Sequence, residues 1–390
     1  MVNMKSVRIK DGIFWVGGVD WKLRNFHGYL TQRGSSYNAY LVIDKKVTLI
    51  DTVKNHLFDD MIERIKDVIN PENIDYIVVN HVEMDHSGSV PDIVSVARKA
   101  KIVSNSRGIN GIKKHYGENF NFQEVKTGDV LDIGERKIKF IETPMIHWPD
   151  NMVEFVDGEG LLFSNDSFGQ HIASTERFDD EFSFDIVLEE AKKYYANIVL
   201  PYSSQVQKIL DLLSNFKVEM ILPSHGLIWR KGVRRILDEY SYWAKNSYQK
   251  KCVIVFDSMW GSTEKMAYKI FEAFEESCYT VRVFDLKLTH ISDIMTEVLD
   301  SEFVCIGSPT LNRNIMPTVS AFLSYLKGLS PKNRKLIVFG SYGWVGKSVD
   351  IIEDDLKSFG FDIVFDNKIQ FVPTYKDLEM LKEECIKLLK

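Results

Sequence analysis

The sequence predicts an α/β protein built as two successive parts. Three observations carry that prediction. From about residue 250 onward, short apolar strands alternate with amphipathic helices, the pattern of a doubly wound parallel sheet. The preceding stretch is richer in strands, with Gly turns between hairpin-like pairs. A polar run, AKNSYQKK, separates the two patterns and places a boundary between residues 1–248 and 249–390. At 390 residues the chain is too long for one ordinary domain.

The elements follow in order. YNAYLVIDKKVTLIDTV reads as paired strands with a turn at Asp44-Lys45-Lys46. Met61, Ile62, Ile65 and Ile69 recur at helical spacing in FDDMIERIKDVI. DYIVVN is a short apolar strand that delivers the chain to His81. VPDIVSVAR and INGIKKHY read as helices around the strand KIVSN. DVLDIGERKIKFIETP and MVEFVDGEGLLFSND read as strands, DIVLEEAKKYYANIV as a helix and MILPSHG as a late strand. In the second part KCVIVFDS opens the sheet. STEKMAYKIFEAFEES follows as a helix that Ser262 or Thr263 is expected to cap. TVRVFDL, FVCIGSP, KLIVFGS and DIVF continue the alternation to a final helix.

Composition narrows the function. Hydrophobic residues make up 45% and charged residues 27%, so the chain can bury real cores and stay soluble. A formal net charge of -6 argues against nucleic-acid or anionic-membrane partners. No segment approaches the roughly 18 apolar residues of a membrane helix, and the N-terminus lacks the apolar run of a signal peptide. The four cysteines, Cys252, Cys278, Cys305 and Cys385, form no CxxC pair, which argues against thiolate zinc and iron–sulfur sites. They read as buried thiols in a reducing cytoplasm.

The densest chemistry lies in HVEMDHSGS, residues 81–89. His81, Glu83, Asp85 and His86 are donors of the kind that bind zinc, iron or manganese. If the segment stays extended, residues 81, 83 and 85 share one side. His147, Asp166 and His225 each follow a predicted strand, where a scaffold can aim a ligand. Seven donors are too many for one tetrahedral zinc. They suit two metals about 3.5–4 Å apart with a carboxylate between them, and Asp166 is the natural bridge. Glu83 adds anionic, hard oxygen, which favours an iron pair. A dinuclear zinc hydrolase remains a rival.

The first part resembles the metallo-β-lactamase fold, an αβ/βα sandwich whose loop normally reads His-x-His-x-Asp-His. With Glu83 in place of the second His, the chain resembles the flavodiiron proteins over nearly its whole length. The resemblance implies one iron on His81, Glu83 and His147, and the other on Asp85, His86 and His225, with Asp166 shared. It also puts His27, His171 and Tyr195 beside the diatomic substrate as pocket walls or proton donors.

The second part carries its own constellation. FDSMWGST leaves the first strand and opens the first helix, where hydroxyls and amides make an anion site. Ser258, Ser262 and Thr263 can hold a phosphate without a lysine. GxGxxG and the Walker pattern are absent, so a bound mononucleotide is favoured over NAD or ATP. SPTLNRN and GSYGWVG end two further strands, at the carboxyl edge where open α/β sheets bind ligands. Trp260, Tyr342 and Trp344 are available to stack on a ring. This half resembles flavodoxin, whose ligand is FMN. The resemblance implies phosphate and ribityl contacts from Ser258, Met259, Trp260, Gly261, Ser262 and Thr263. It places Pro309, Thr310, Leu311, Asn312, Ser341, Tyr342, Gly343 and Trp344 beside the ring.

Flavodiiron proteins reduce dioxygen to water, nitric oxide to nitrous oxide, or both. The expected cofactors are therefore FMN and two non-haem irons. The family's head-to-tail dimer, which can pair into a tetramer, brings one subunit's FMN to the neighbour's irons, with Trp148 in the gap. The expected electron donor is a separate molecule, either rubredoxin or the reduced deazaflavin coenzyme F-420. VDWKLRNFHGYL and FSNDSFGQHIAS resemble the deazaflavin-oxidising members. A plain electron carrier with a degenerate first half is the other rival class.

Overall fold

The computed structural model describes residues 4–389. The chain divides into two compact units. One holds the residues up to His27, Thr31–Tyr195 and Ser204–Ser241; the other holds Gly28–Leu30, Ala196–Ser203 and the residues from Tyr242 onward.

In the first unit a seven-stranded sheet runs in the order Val7–Lys10, Ile13–Trp15, Tyr40–Val42, Val47–Ile50, Ile74–Val78, Lys101–Ser104, Phe122–Glu124. A five-stranded sheet runs Val130–Asp132, Lys137–Glu142, Met152–Val156, Leu161–Asn165, Met220–Pro223. The two-residue period of a strand sorts their side chains between two cores. Tyr40, Val42, Ile50, Val78 and Val103 share one core with Ile138, Phe140, Met152, Leu161, Phe163 and Leu222 of the second sheet. Leu41, Leu49, Ile77 and Ile102 point the other way, onto Met61, Ile65, Val90, Ile93 and Ile112. Those residues come from the helices Phe58–Lys66, Val90–Val96 and Ser106–Tyr116. The sheets thus stack face to face under a helical layer, as the sandwich expectation requires.

The central strands aim the site. Ile74–Val78 runs parallel to both neighbours and delivers the chain to His81. Leu161–Asn165 and Met220–Pro223 are parallel and end just before Asp166 and His225. Lys137–Glu142 and Met152–Val156 pair antiparallel, and their connection carries His147.

Two local expectations fail. The run from His81 does not stay extended. Met84–Ser87 closes a helical turn, with the amides of His86 and Ser87 both donating to the Glu83 carbonyl. Asp85 therefore turns away from His81 and Glu83. The helix Ser262–Glu276 is not capped by Ser262 or Thr263. Gly261, at φ 80°, holds the N-cap position, and no side chain caps that end. The helices Ser203–Leu213 and Val233–Ala244 have no counterpart in the sequence reading. Cys252, Cys305 and Cys385 are buried as expected, whereas Cys278 is exposed.

The second unit is a five-stranded parallel sheet ordered Thr280–Asp285, Gln249–Phe256, Ser301–Gly307, Lys335–Tyr342, Asp362–Gln370. The strand order reverses between Gln249–Phe256 and Ser301–Gly307, so the loops after those strands flank a crevice. Gly340 lets two of its loops close up. A Cβ there would lie 2.3 Å from the Ser308 carbonyl oxygen. Gly340→Ala is expected to cost about 1–3 kcal/mol through overpacking, read as a lower denaturant midpoint for the second unit.

Candidate functional site

All seven predicted donors converge in the first unit, and they do so as two groups. In the first, His81 Nε2 lies 3.3 Å from Glu83 Oε2 and 4.0 Å from Asp166 Oδ2. His147 Nε2 lies 3.5 Å from each of the same two oxygens. In the second, His86 Nε2 lies 2.9 Å from Asp166 Oδ1 and 3.4 Å from Asp85 Oδ1. His225 Nε2 lies 3.2 Å from Asp166 Oδ1 and 3.3 Å from Asp85 Oδ2. Donors held about 2.0–2.2 Å from one ion sit about 3–3.5 Å from each other, so both groups come close to the spacing of a metal site, the His81–Asp166 pair at 4.0 Å being the widest. Asp166 presents Oδ2 to one group and Oδ1 to the other, the geometry of a bridging carboxylate. Both oxygens of Asp85 and of Asp166, and both ring nitrogens of His86, are buried without a hydrogen-bond partner. Buried polar atoms in a folded protein are normally satisfied, and a pair of cations would satisfy all of these except His86 Nδ1. The residues fit two metal ions.

A layer of hydrogen bonds behind the donors fixes their direction. His81 Nδ1 donates to Asp150 Oδ2 at 3.1 Å, leaving Nε2 bare for a metal. His225 Nδ1 donates to the Ser36 carbonyl at 2.9 Å, with the same effect. His86 has no such partner at Nδ1. The residues that precede the donors are also tied together. Asn80, before His81, sends its backbone and side-chain amides to the two oxygens of Asp51 at 2.9 and 3.1 Å. Asn165, before Asp166, donates to Asp51 at 3.3 Å and to Ser224 Oγ, before His225, at 3.0 Å. Asn151 donates to Asn165 and accepts from the Trp148 amide, next to His147, both at 2.7 Å. Glu154 accepts from Asn80 at 2.9 Å. Burial, reinforced by the Asp51 charge, pushes the Glu154 carboxyl well above its usual range, so it keeps its proton.

His27 lies at the rim. Its Nε2 is 2.5 Å from Glu83 Oε1, which leaves Oε2 facing the first group. That bond raises the His27 pKa, against some loss from burial. His171 is fully buried, with Nδ1 2.8 Å from Ser35 Oγ. Burial, then the His225 charge, hold its pKa well below the ordinary value, so the ring is neutral. Tyr195 packs on Tyr240, ring centroids 5.0 Å apart. The ring beside His171 and His225, at 5.2 and 5.9 Å, is that of Tyr194, one residue earlier. One residue is about 100° of helix rotation, enough to exchange the two faces. The sequence reading also missed Phe26, Tyr37 and Lys54. Phe26 and Tyr37 flank His225 at 6.4 and 5.5 Å, and the Lys54 ammonium lies over both rings at 5.0 and 4.7 Å. Trp148 packs edge-on against His81 at 4.9 Å.

The second unit holds a cleft of about 280 Å³. It is lined by Met259, Trp260, Ser262, Pro309, Thr310, Ser341, Tyr342 and Gly343, all expected there, and by Phe371 and Val372, which were not. Ser258, Gly261, Thr263, Leu311, Asn312 and Trp344 do not line it, although each belongs to one of its loops. Ser258 Oγ accepts from the Gly261 amide at 3.1 Å, and Thr263 Oγ1 meets Ser341 Oγ at 2.8 Å. Apolar walls meet an uncapped helix N-terminus whose amides can take an anion. Those residues fit a phosphorylated flavin.

Comparison with known proteins agrees with the two-part fold. Residues 36–226 match a family model described as ODP family beta lactamase, and residues 254–384 match flavodoxin. A protein of Moorella thermoacetica named nitric oxide reductase is 42% identical, with 97% of each chain covered. A protein of Methanothermobacter marburgensis named coenzyme F420H(2) oxidase is 39% identical over 98% of this chain and 97% of its own. The solved rubredoxin oxygen:oxidoreductase from Desulfovibrio gigas superimposes with a TM-score of 0.96 at 40% identity, over 99% of this chain and 98% of that one. The solved flavodiiron protein from Giardia intestinalis gives a TM-score of 0.96 at 34% identity, over 99% and 96%. Fold and sites together define an oxidoreductase that uses FMN and a non-haem iron pair. The chain belongs to the flavodiiron protein family.

Metal removal exposes the charge on the imidazoles. In the metal-free protein burial lowers the His81 and His225 pKa values, but neighbouring carboxylates outweigh it and push both up to about 10. The resulting ion pairs stabilise the metal-free fold fully below about pH 6.5 and are lost as pH rises through about 10. Metal uptake at pH 7 must displace these protons, and release of about two per protein is expected. An indicator dye in weak buffer measures it. Asp51→Asn places a donor against the amides of Asn80 and Asn165. It is expected to cost about 1–3 kcal/mol and to lower bound iron. Glu154→Gln imitates the protonated acid and is expected to change stability by less than about 1 kcal/mol. Denaturant melts and metal analysis check both.

Proposed function

We propose that this protein reduces dioxygen to water, taking electrons through FMN from reduced coenzyme F-420 or from rubredoxin. The observation that carries the reading is Asp166, shared between two donor groups in a chain that also holds a flavin cleft. His81, Glu83 and His147 bind one iron; Asp85, His86 and His225 bind the other. Met259, Trp260, Ser262, Pro309, Thr310, Ser341, Tyr342 and Gly343 contact the flavin. Ser258, Gly261 and Thr263 shape the phosphate loop, while Leu311, Asn312 and Trp344 complete the rim. The domains divide at residues 248 and 249.

When bound, the iron pair supplies open positions for the diatomic and the flavin supplies electrons. The chain's own residues do the rest. His27 is exposed and holds a proton at Nε2 against Glu83, so it can exchange with solvent and serve the four protons that dioxygen reduction consumes. His171 stays neutral, and with Tyr194, Phe26 and Tyr37 it keeps water from one side of the centre. Tyr195 acts behind this wall, through its packing.

Exposed rings support a head-to-tail dimer. Trp260, Trp344, Phe371 and Tyr375 stand exposed on or near the cleft loops, and Met84 and Trp148 beside the metal donors. Exposed apolar groups of this size mark interaction surfaces. Among the described residues no helix is long and apolar enough to cross a membrane; with three buried free thiols, this supports a reducing cytoplasm.

A second reading, reduction of two nitric oxide molecules to nitrous oxide with two electrons and two protons, is favoured by the Moorella relative. Anaerobic protein loaded with iron and FMN would be reduced and mixed with each gas. Fast flavin reoxidation and gas uptake with dioxygen support the first reading; the same with nitric oxide alone supports the second. Inertness to both returns the zinc hydrolase. His27→Asn is expected to lower turnover about 10- to 100-fold with iron content intact, checked by gas electrode and metal analysis. Because the His27 proton is needed, wild-type turnover should fall as pH rises through its raised pKa.

A further inference from the structure

The loop at the expected phosphate site, from Asp257 through Thr263, contains no basic residue. It begins instead with a carboxylate. Asp257 is buried at the end of the strand Gln249–Phe256, where Oδ1 accepts from the Ser258 amide at 2.6 Å and Oδ2 from Thr318 Oγ1 at 2.5 Å. That carboxylate orders the loop, but its charge opposes a bound phosphate. Asp285, at the end of the neighbouring strand Thr280–Asp285, adds a second.

Lys287 answers both. Its Nζ donates to the Ser258 carbonyl at 2.8 Å and pairs with Asp257 Oδ1 at 3.2 Å and Asp285 Oδ2 at 3.4 Å. An ammonium has three donors, and three acceptors face them: two in the loop, at Ser258 and Asp257, and one at the neighbouring strand end, Asp285. We propose that Lys287 is a positioning residue for the FMN phosphate. It cancels the field of Asp257 and Asp285 behind the loop and fixes the Ser258 carbonyl inward, so that the loop amides face the ligand. Burial lowers the Lys287 pKa, but the bond to Asp257 and the two carboxylate charges outweigh it, so the ammonium stays charged over the neutral range. The proposal rests on the assignment of FMN to this cleft.

The test strips flavin from the full-length protein and titrates it with FMN and, separately, with riboflavin, which lacks the phosphate. Lys287→Met is expected to weaken FMN about tenfold and riboflavin by less than about twofold. The FMN deficit should shrink as salt is added. Lys287→Arg and the double variant Lys287→Met with Asp285→Asn are expected to recover most of the FMN affinity, because each restores the charge balance. Equal losses for both flavins would make Lys287 a scaffold residue only and overturn the proposal. Unchanged FMN affinity in Lys287→Met would overturn it as well. Wild-type protein that takes up no FMN would instead sink the assignment of the cleft.

Discussion

The metal centre depends on one buried carboxylate that binds no metal. Asp51 takes amides from Asn80 and Asn165, the residues just before His81 and Asp166. Both pairs lie where the strands end, Asn165 with its backbone at φ 48°. There the asparagines turn to Asp51 and the residues that follow them turn to the donor groups. Ser224 and Asn151 extend the same layer to the chain beside His225 and His147. Four separate segments are thereby aligned by a network of a few bonds, each worth about 1 kcal/mol net and costly to leave unmade.

The two sites solve opposite electrostatic problems with one device. Around the metals, three carboxylates are gathered where water is excluded, which is tolerable because cations are expected between them. Around the phosphate loop, an anion is expected where a carboxylate already lies. In both places a buried acid organises backbone amides and a group of opposite charge offsets it. Asp150 does the organising for His81 and the Val82 amide, at 3.1 and 2.8 Å. Asp257 does it for Ser258 and Thr318.

Donor identity was legible in the sequence because His and carboxylates at strand ends are scarce and chemically loud. The parallel sheet of the second unit was legible in the β–α alternation, though its strand order was not. What stayed hidden is the material that is chemically quiet. Asn80, Asn151, Asn165 and Ser224 look like ordinary turn residues until the fold brings them to Asp51. Phe371 and Val372 lie far along the chain from the other cleft residues. The helical turn at Met84–Ser87 defeated a reading by alternation, because a four-residue run is too short to show a period. Periodicity could not separate Tyr194, whose ring lies beside His171 and His225, from Tyr195, whose ring packs on Tyr240.

Asp166 has one further consequence. Its carboxylate cannot rotate to suit one ion without moving the oxygen meant for the other. The first ion to arrive therefore orients the ligand of the second and screens the repulsion among Glu83, Asp85 and Asp166. Occupancy of the two positions would therefore be thermodynamically linked, each changing the affinity of its neighbour by the same factor.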